Sequence, residues 1–208
     1  MFLTILDKKR SQILPKLGFL EKHGFYLAGG TALALHLGHR TSLNLDFYTE
    51  NTFDARALRE AFDSRFKKVQ EIYIAEGTVG LDVQGIGISF FRYPYPRLRP
   101  LRRLQGIRVA SPEDIAAMKM IAITQRGIKR DFIDIYFLMK KYGLKKIMEF
   151  TRKKYPMYNV YIGLQALVYF KDADADVEES RFRLLQDCDW MVVKRTLVQE
   201  VNALRQAL

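Results

Sequence analysis

Apolar residues recur near the start of the chain at Phe2, Leu3, Ile5, Leu6, Ile13, Leu14, Leu17 and Leu20. This spacing reads as one side of an amphipathic helix over residues 1–23, kinked or divided at Pro15. Phe25-Tyr26-Leu27-Ala28 is an unbroken apolar run, suited to a short buried strand. Two glycines and a run of helix formers follow, closed by Gly38. From Ser42 to Tyr48 the pattern changes to strict alternation, with Leu43, Leu45 and Phe47 against Ser42, Asn44, Asp46 and Tyr48, the period of a strand. Thr52–Phe66 returns to helical spacing, with Thr52 or Asn51 as cap and Ala57, Leu58, Ala61 and Phe62 on one face. Val69–Ala75 and Thr78–Gln84 read as a hairpin, and Gly85-Ile86-Gly87 as the turn into a strand Ile88–Arg92. In Tyr93-Pro94-Tyr95-Pro96 each proline lacks the N–H that a ladder requires, so the sheet is expected to end there.

The second half is helical. Ser111-Pro112-Glu113-Asp114 is a strong helix start, with Ser111 as N-cap and acids in the first turn. Ile115–Gln125 continues it with Ala116, Met120 and Ile123 as a buried stripe and Lys119 at its edge. Gly127 breaks the pattern, and the helix that restarts carries Asp131 and Asp134 on one face. Strands with intervening helices, then a run of helices, predict an α/β (α+β) fold: a mixed-sheet core over residues 1–110 and a helical region over 111–208.

The chain has 208 residues, 49% of them hydrophobic and 12% aromatic, which argues for a globular fold. A net charge of +11 and an isoelectric point near 9.7 point to an anionic partner, nucleic acid or nucleotide phosphates, against the plainer reading of a well-solvated basic surface. Arg97, Arg99, Arg102, Arg103 and Arg108 concentrate that charge just after the tyrosine–proline stretch. They read equally well as a nucleic-acid contact and as a solvated loop. One cysteine, Cys188, excludes an internal disulfide framework, and three histidines without a cysteine pair suggest no zinc cluster. A reducing cytoplasm fits this usage, and no apolar run approaches the roughly 18 residues of a membrane span.

Candidate chemistry gathers around Gly29-Gly30-Thr31. Unpaired N–H groups and the positive end of a helix dipole there face a phosphate that no side chain blocks. A few residues on, Asn44 and Asp46 put two oxygen-bearing side chains on one strand face, a plausible site for a magnesium-bound nucleotide. Lys119, Asp131 and Asp134 taken alone read as a salt-bridge cluster joining two helices. His36 and His39 read as lining or capping the short helix. The acids Asp172, Asp174, Asp176, Glu178 and Glu179 lack EF-hand spacing and read as a solvated loop.

The stretch from Ala28 to Phe47, with Gly-Gly-Thr, a short helix, Arg40 and a strand carrying Asn44-Leu45-Asp46, resembles the nucleotidyltransferase superfamily. Its wording is close to the AbiEii/AbiGii-type toxin branch. Asp114-Ile115-Ala116-Ala117-Met118-Lys119 followed by Arg126 to Asp134 is similar to the second signature of that branch, and the segment 166–176 with Trp190 and a last helix looks like its C-terminal part. The resemblance implies a nucleotidyltransferase of toxin–antitoxin type. Such an enzyme moves a nucleoside monophosphate from a nucleoside triphosphate to an RNA (tRNA-like) or protein acceptor with Mg2+, and it has a possible cognate antitoxin as partner. By the same resemblance Asp46, Lys119 and Asp131 are candidate catalytic residues, Gly29, Gly30, Thr31 and Arg40 bind the nucleotide, and Asp46 and Asn44 hold the metal. The family pattern has aspartate at both strand positions, whereas Asn44 stands first here; its amide oxygen can reach a metal but removes one negative charge. For the superfamily's third carboxylate, Ser89 occupies the equivalent stretch and Asp82 is the nearby acid. The alternative to an enzyme is a catalytically degenerate module that binds nucleotide or a partner.

Overall fold

The computed structural model describes residues 1–176 and 182–206. Its strands are β1 (Tyr26–Ala28), β2 (Leu45–Thr49), β3 (Val69–Ala75), β4 (Thr78–Val83), β5 (Ile86–Arg92), β6 (Arg102–Leu104) and β7 (Ile107–Val109). They form one mixed sheet in the order β3-β4-β5-β2-β1-β7-β6. β2 lies antiparallel to β1 and parallel to β5, so Asp46 sits between Ala28 and Ser89. Alternation along β2 decides which residues go where. Phe47 is fully buried and stacks on Phe90 of β5 at 5.8 Å, inside a ring cluster with Phe25 and Phe62. Asp46 and Tyr48 therefore point to the opposite face.

The helices are α1 (Lys8–Ile13), α2 (Gly29–Leu37), α3 (Ala55–Asp63), α4 (Pro112–Arg126), α5 (Lys129–Tyr142), α6 (Leu144–Lys154), α7 (Val160–Ala166), α8 (Lys171–Asp174) and α9 (Trp190–Gln206). α4 begins as expected: Ser111 Oγ accepts from the Asp114 N–H at 3.0 Å, with proline in the first turn. It packs against α2, α5 and α6, which carries the helical part onto the face of the sheet that Asp46 presents.

Several local expectations are corrected. Residues 1–23 divide beside Pro15 as expected, but into pieces that are mostly 3-10 rather than one α-helix. A 3-10 turn (Leu3–Ile5) is followed by α1, capped by Asp7, and then by a ten-residue 3-10 stretch (Leu14–His23). Its buried residues Leu14, Leu17 and Leu20 are spaced by three, the repeat of a 3-10 helix, and Pro15 donates no hydrogen bond that could close an α turn. α3 starts later than expected because Asp54, rather than Asn51 or Thr52, caps it, accepting from Arg56 N–H at 2.7 Å. β2 starts at Leu45, and Leu43 is exposed rather than in the core. The turn before β5 is Gln84-Gly85, both with positive φ (57° and 82°), so Ile86 and Gly87 belong to the strand.

The sheet also does not end at Arg92. After the prolines the chain returns as the β6–β7 hairpin, and β7 pairs in parallel with β1 at Leu27 and Val109. The signal was present in the sequence, since Leu104-Gln105-Gly106-Ile107 repeats the wording of Val83-Gln84-Gly85-Ile86 and makes the same two-residue turn. Asp172 and Asp174 are exposed, as a solvated loop would have them, but Asp174 and the half-buried Asp176 also make structural bonds. Asp174 accepts from Trp190 Nε1 at 2.7 Å and from Lys194, and Asp176 accepts from the Lys129 N–H. Glu178 and Glu179 lie outside the described residues. No helix among the described residues is long and apolar enough to cross a membrane.

Candidate active site

β1 hands the chain to α2 at Gly29, whose φ of +66° suits glycine. A Cβ there would lie 3.1 Å from Asp46 Oδ2, so the glycine is also what lets the helix start approach the strand carboxylate. Gly30 has a separate reason: a Cβ would stand 2.6 Å from Nη2 of Arg40. Both glycines, with Arg40, Asn44, Asp46 and Lys119, line a cavity of about 610 Å³ between the sheet and α4. Thr31 faces the other way. Its buried hydroxyl bonds Ser42 Oγ at 2.7 Å and the Asn44 carbonyl, which ties α2 to the segment carrying Asn44.

Asp131 does not line the cavity. It is fully buried with Asp134 in an ion network that joins α5 to α4 and to the loop after α2. Lys119 Nζ lies 2.6 Å from both Asp131 Oδ1 and Asp134 Oδ2. Arg40 grips Asp134 through two parallel bonds, Nε to Oδ1 at 2.7 Å and Nη2 to Oδ2 at 2.8 Å. His39 Nε2 bonds Asp134 Oδ1 at 2.8 Å, and Arg126 Nε donates to Asp131 Oδ2 at 2.8 Å. Burial alone would raise the carboxyls, but Arg40, Lys119 and the His39 bond hold Asp134 well below the usual range, while Lys119 and Arg126 lower Asp131. Both aspartates are ionised at neutral pH. Burial lowers the His39 pKa, which makes it a neutral donor to Asp134. The salt-bridge reading of Lys119, Asp131 and Asp134 thus holds, with Arg40 and His39 as further members.

Asp46 is different. It makes no hydrogen bond or ion pair among the described residues, and burial raises its carboxyl above the usual value against the lowering charges of Lys119, Arg126, Arg130 and Arg40. Asn44 beside it is exposed and equally uncommitted. Ser89 stands next to Asp46 in register, whereas Asp82 accepts the Gly85 N–H at 2.8 Å and so caps the hairpin turn. Among the described residues no group of three or more His, Cys, Asp or Glu could hold a metal. The donor set does not make a two-metal site. It does fit one Mg2+ arriving with a triphosphate, because that ion takes one or two protein oxygens and fills its sphere with phosphate and water.

Cavity residues that sequence reasoning missed are Arg10, Tyr48, Tyr93, Arg126, Arg130 and Phe182. Arg10 reaches over from α1, its Nε donating to the Leu43 carbonyl at 2.5 Å. Phe182 belongs to a C-terminal strap: Arg183 and Thr41 exchange bonds of 2.8 Å, and Leu185 N–H donates to the His39 carbonyl at 2.8 Å. The alternation that exposes Asp46 marks Tyr48 as well, and Arg126 lies about two turns beyond Lys119 on α4, whereas Arg10, Tyr93 and Phe182 come from remote segments that no local pattern marks.

A mixed sheet with a glycine-opened helix set against a strand carboxylate, covered by a helical part, is the fold of a nucleotidyltransferase. A candidate nucleotidyltransferase of Helicobacter pylori shares it at a TM-score of 0.62, with 18% identity over 98% of this chain and 97% of that one. The MenT4 nucleotidyltransferase toxin of Mycobacterium tuberculosis shares it at 0.50, with 15% identity over 90% and 80%. The chain belongs to the AbiEii nucleotidyl transferase toxin family of type IV toxin–antitoxin systems, whose model matches residues 19–188. An uncharacterized protein of Aquifex aeolicus is 40% identical over 181 residues, 84% of this chain and 87% of its own length.

Proposed function

We propose that this chain transfers a nucleoside monophosphate from a nucleoside triphosphate to an RNA end, with Mg2+ as cofactor and a cognate antitoxin as its regulator. The observation that carries the reading is the uncommitted Asp46 carboxylate at the bottom of a cation-lined cavity, facing the start of α2. The triphosphate lies over Gly29 and Gly30, where backbone N–H groups and the dipole favour anions. Arg126, with half its side chain exposed, is the guanidinium best able to meet a phosphate oxygen. Arg40 and Lys119 are buried and saturated by Asp134 and Asp131, so they contribute fixed positive charge rather than direct grip. Asp131 is accordingly a positioning residue: it aims Lys119 and Arg126 at the cavity. Asp46 and Asn44 would hold Mg2+, which would neutralise charge developing on the α-phosphate.

A second reading has its own support, because two positions that carry acids in the superfamily pattern are Asn44 and Ser89 here. In that case the cavity binds nucleotide without chemistry. A transfer assay with radiolabelled nucleoside triphosphates separates the two. Labelling of an RNA acceptor by the wild type and none by Asp46→Ala supports transfer. Equal labelling by both proteins would remove this strand from the chemistry, and no labelling even by Asn44→Asp would leave the binding module.

A further inference from the structure

The arginine-rich connection after β5 is held by a device that a solvated loop would not require. Lys154 and Asp114 are almost completely buried and paired at 2.8 Å. Rather than each other alone, they bind the loop. The Asp114 carboxylate accepts the N–H groups of Leu98 at 2.8 Å and Arg99 at 3.2 Å, and the Lys154 ammonium donates to the Pro96 carbonyl at 2.8 Å. A buried ion pair adds little net stability, but it can fix one backbone conformation. What it fixes here is exposed. Pro96 to Leu101 and Arg103 line a shallow depression of about 680 Å³ with Arg108, Glu21 and Glu50, and Arg102 lies just outside it.

Charge and aromatic character both point the surface at a polyanion with stacking faces. Arg97, Arg99, Arg103 and Arg108 meet Glu50, Glu113 and Glu21 in partly exposed pairs, and Arg102 makes no ion pair among the described residues. Five arginines against three glutamates leave the patch positive, and such exposed pairs exchange partners at little cost. Tyrosines connect it to the cavity. Tyr48 on the cavity wall meets Tyr93 at 5.4 Å, Tyr93 meets Tyr95 at 4.8 Å, and Tyr95 presents an exposed ring braced edge-on by Tyr155.

We propose that Tyr95 with Arg97, Arg99, Arg102 and Arg103 is the docking track for the single-stranded end of an RNA acceptor, which passes Tyr93 to bring its terminal hydroxyl to Asp46. This rests on the transferase reading above. Bases stack on Tyr95 and phosphates take the arginines, the combination by which proteins hold single strands without reading sequence.

The test is fluorescence anisotropy with a labelled single-stranded RNA of about 10 nucleotides, a length within the usual site sizes. It compares the wild type, Tyr95→Ala and the double variant Arg99→Ala/Arg103→Ala, with melting curves to show folding and calorimetric nucleoside triphosphate binding in parallel. Tyr95→Ala is expected to weaken RNA binding roughly tenfold. The double variant lowers the slope of log affinity against log salt by about 1.4, two phosphate contacts on a single strand. Nucleotide binding stays at the wild-type level in both. Wild type that binds nucleotide but no RNA overturns the track and spares the cavity. RNA affinity unchanged in both variants also overturns it, and would hand the patch to a protein partner. RNA binding that responds to the variants, with no nucleotide bound, keeps the track and removes the cavity reading.

Discussion

Removing the charge at Asp134 tests whether the buried network, rather than the glycine turn alone, assembles the cavity. Asp134→Asn keeps the shape and leaves Lys119 with Asp131 at 2.6 Å, but the amide has no negative charge and only one acceptor oxygen, so Arg40 keeps at most one of its two bonds to this side chain besides the Thr41 carbonyl at 3.1 Å. Both partners are buried, so water cannot take over. Removing one member of such a pair costs roughly 3–5 kcal/mol. That is a third or more of the stability of many domains, and it corresponds to a melting temperature lowered by roughly 6–20 °C at this chain length. Urea unfolding followed by Trp190, the single tryptophan, which packs against Phe132 and Phe170, reads the loss directly. The dependence on pH has a definite sign. Asp134 is depressed in the folded state, so its contribution is complete above the unfolded carboxylate value of about 3.9 and fades as pH falls through the lower folded value. The gap between wild type and Asp134→Asn is therefore constant from neutral pH down to about 5 and narrows in stronger acid. A variant within about 1 kcal/mol of wild type at neutral pH would refute the claim that Arg40 depends on this carboxylate.

Gly30→Ala drives a methyl group into Arg40 Nη2, which stands 2.6 Å from the Cβ position, and should lower stability by about 1–3 kcal/mol while weakening nucleotide binding in calorimetry. Lys154→Met leaves Asp114 buried without its cation, and hydrogen exchange at the Leu98 and Arg99 amides should accelerate before any change at α5. Asn44→Asp restores a second carboxylate beside Asp46 and should lower the magnesium concentration needed for half-maximal nucleotide binding; an unchanged requirement would count against a metal at this strand.

The parts of the site that were legible are those written in adjacent residues. Alternation from Leu45 to Tyr48 turned Phe47 into the core and Asp46 out of it, and Gly29-Gly30 before a run of helix formers marked the turn that opens α2 beside Asp46. What was not legible depends on distance along the chain. Arg40 and His39 meet Asp134 about a hundred residues later, and nothing in their own neighbourhood says that the Arg40 charge is consumed there rather than offered to a phosphate. The β6–β7 hairpin was missed for another reason: strands of three residues are too short to show a period, and the prolines before them argued for an end. The 3-10 stretch hid behind leucines whose spacing of three fits part of a helical face as well.

The strap at Phe182–Gln186 lies on the loop that carries His39, Arg40 and Thr41, and Asp134 closes the same loop from below. Synthesis adds residues at roughly 5–20 per second from the N-terminus. The strand with Asp46 is therefore in place several seconds before the segment that pins Arg40 exists. A chain interrupted in between carries Arg40 close to Asp46 with neither the Asp134 carboxylate nor the strap to fix it, so the cavity takes its final form only once residues 182–186 have been made. Stalled chains ending before residue 134 should accordingly bind no nucleotide, whereas those released after residue 206 should.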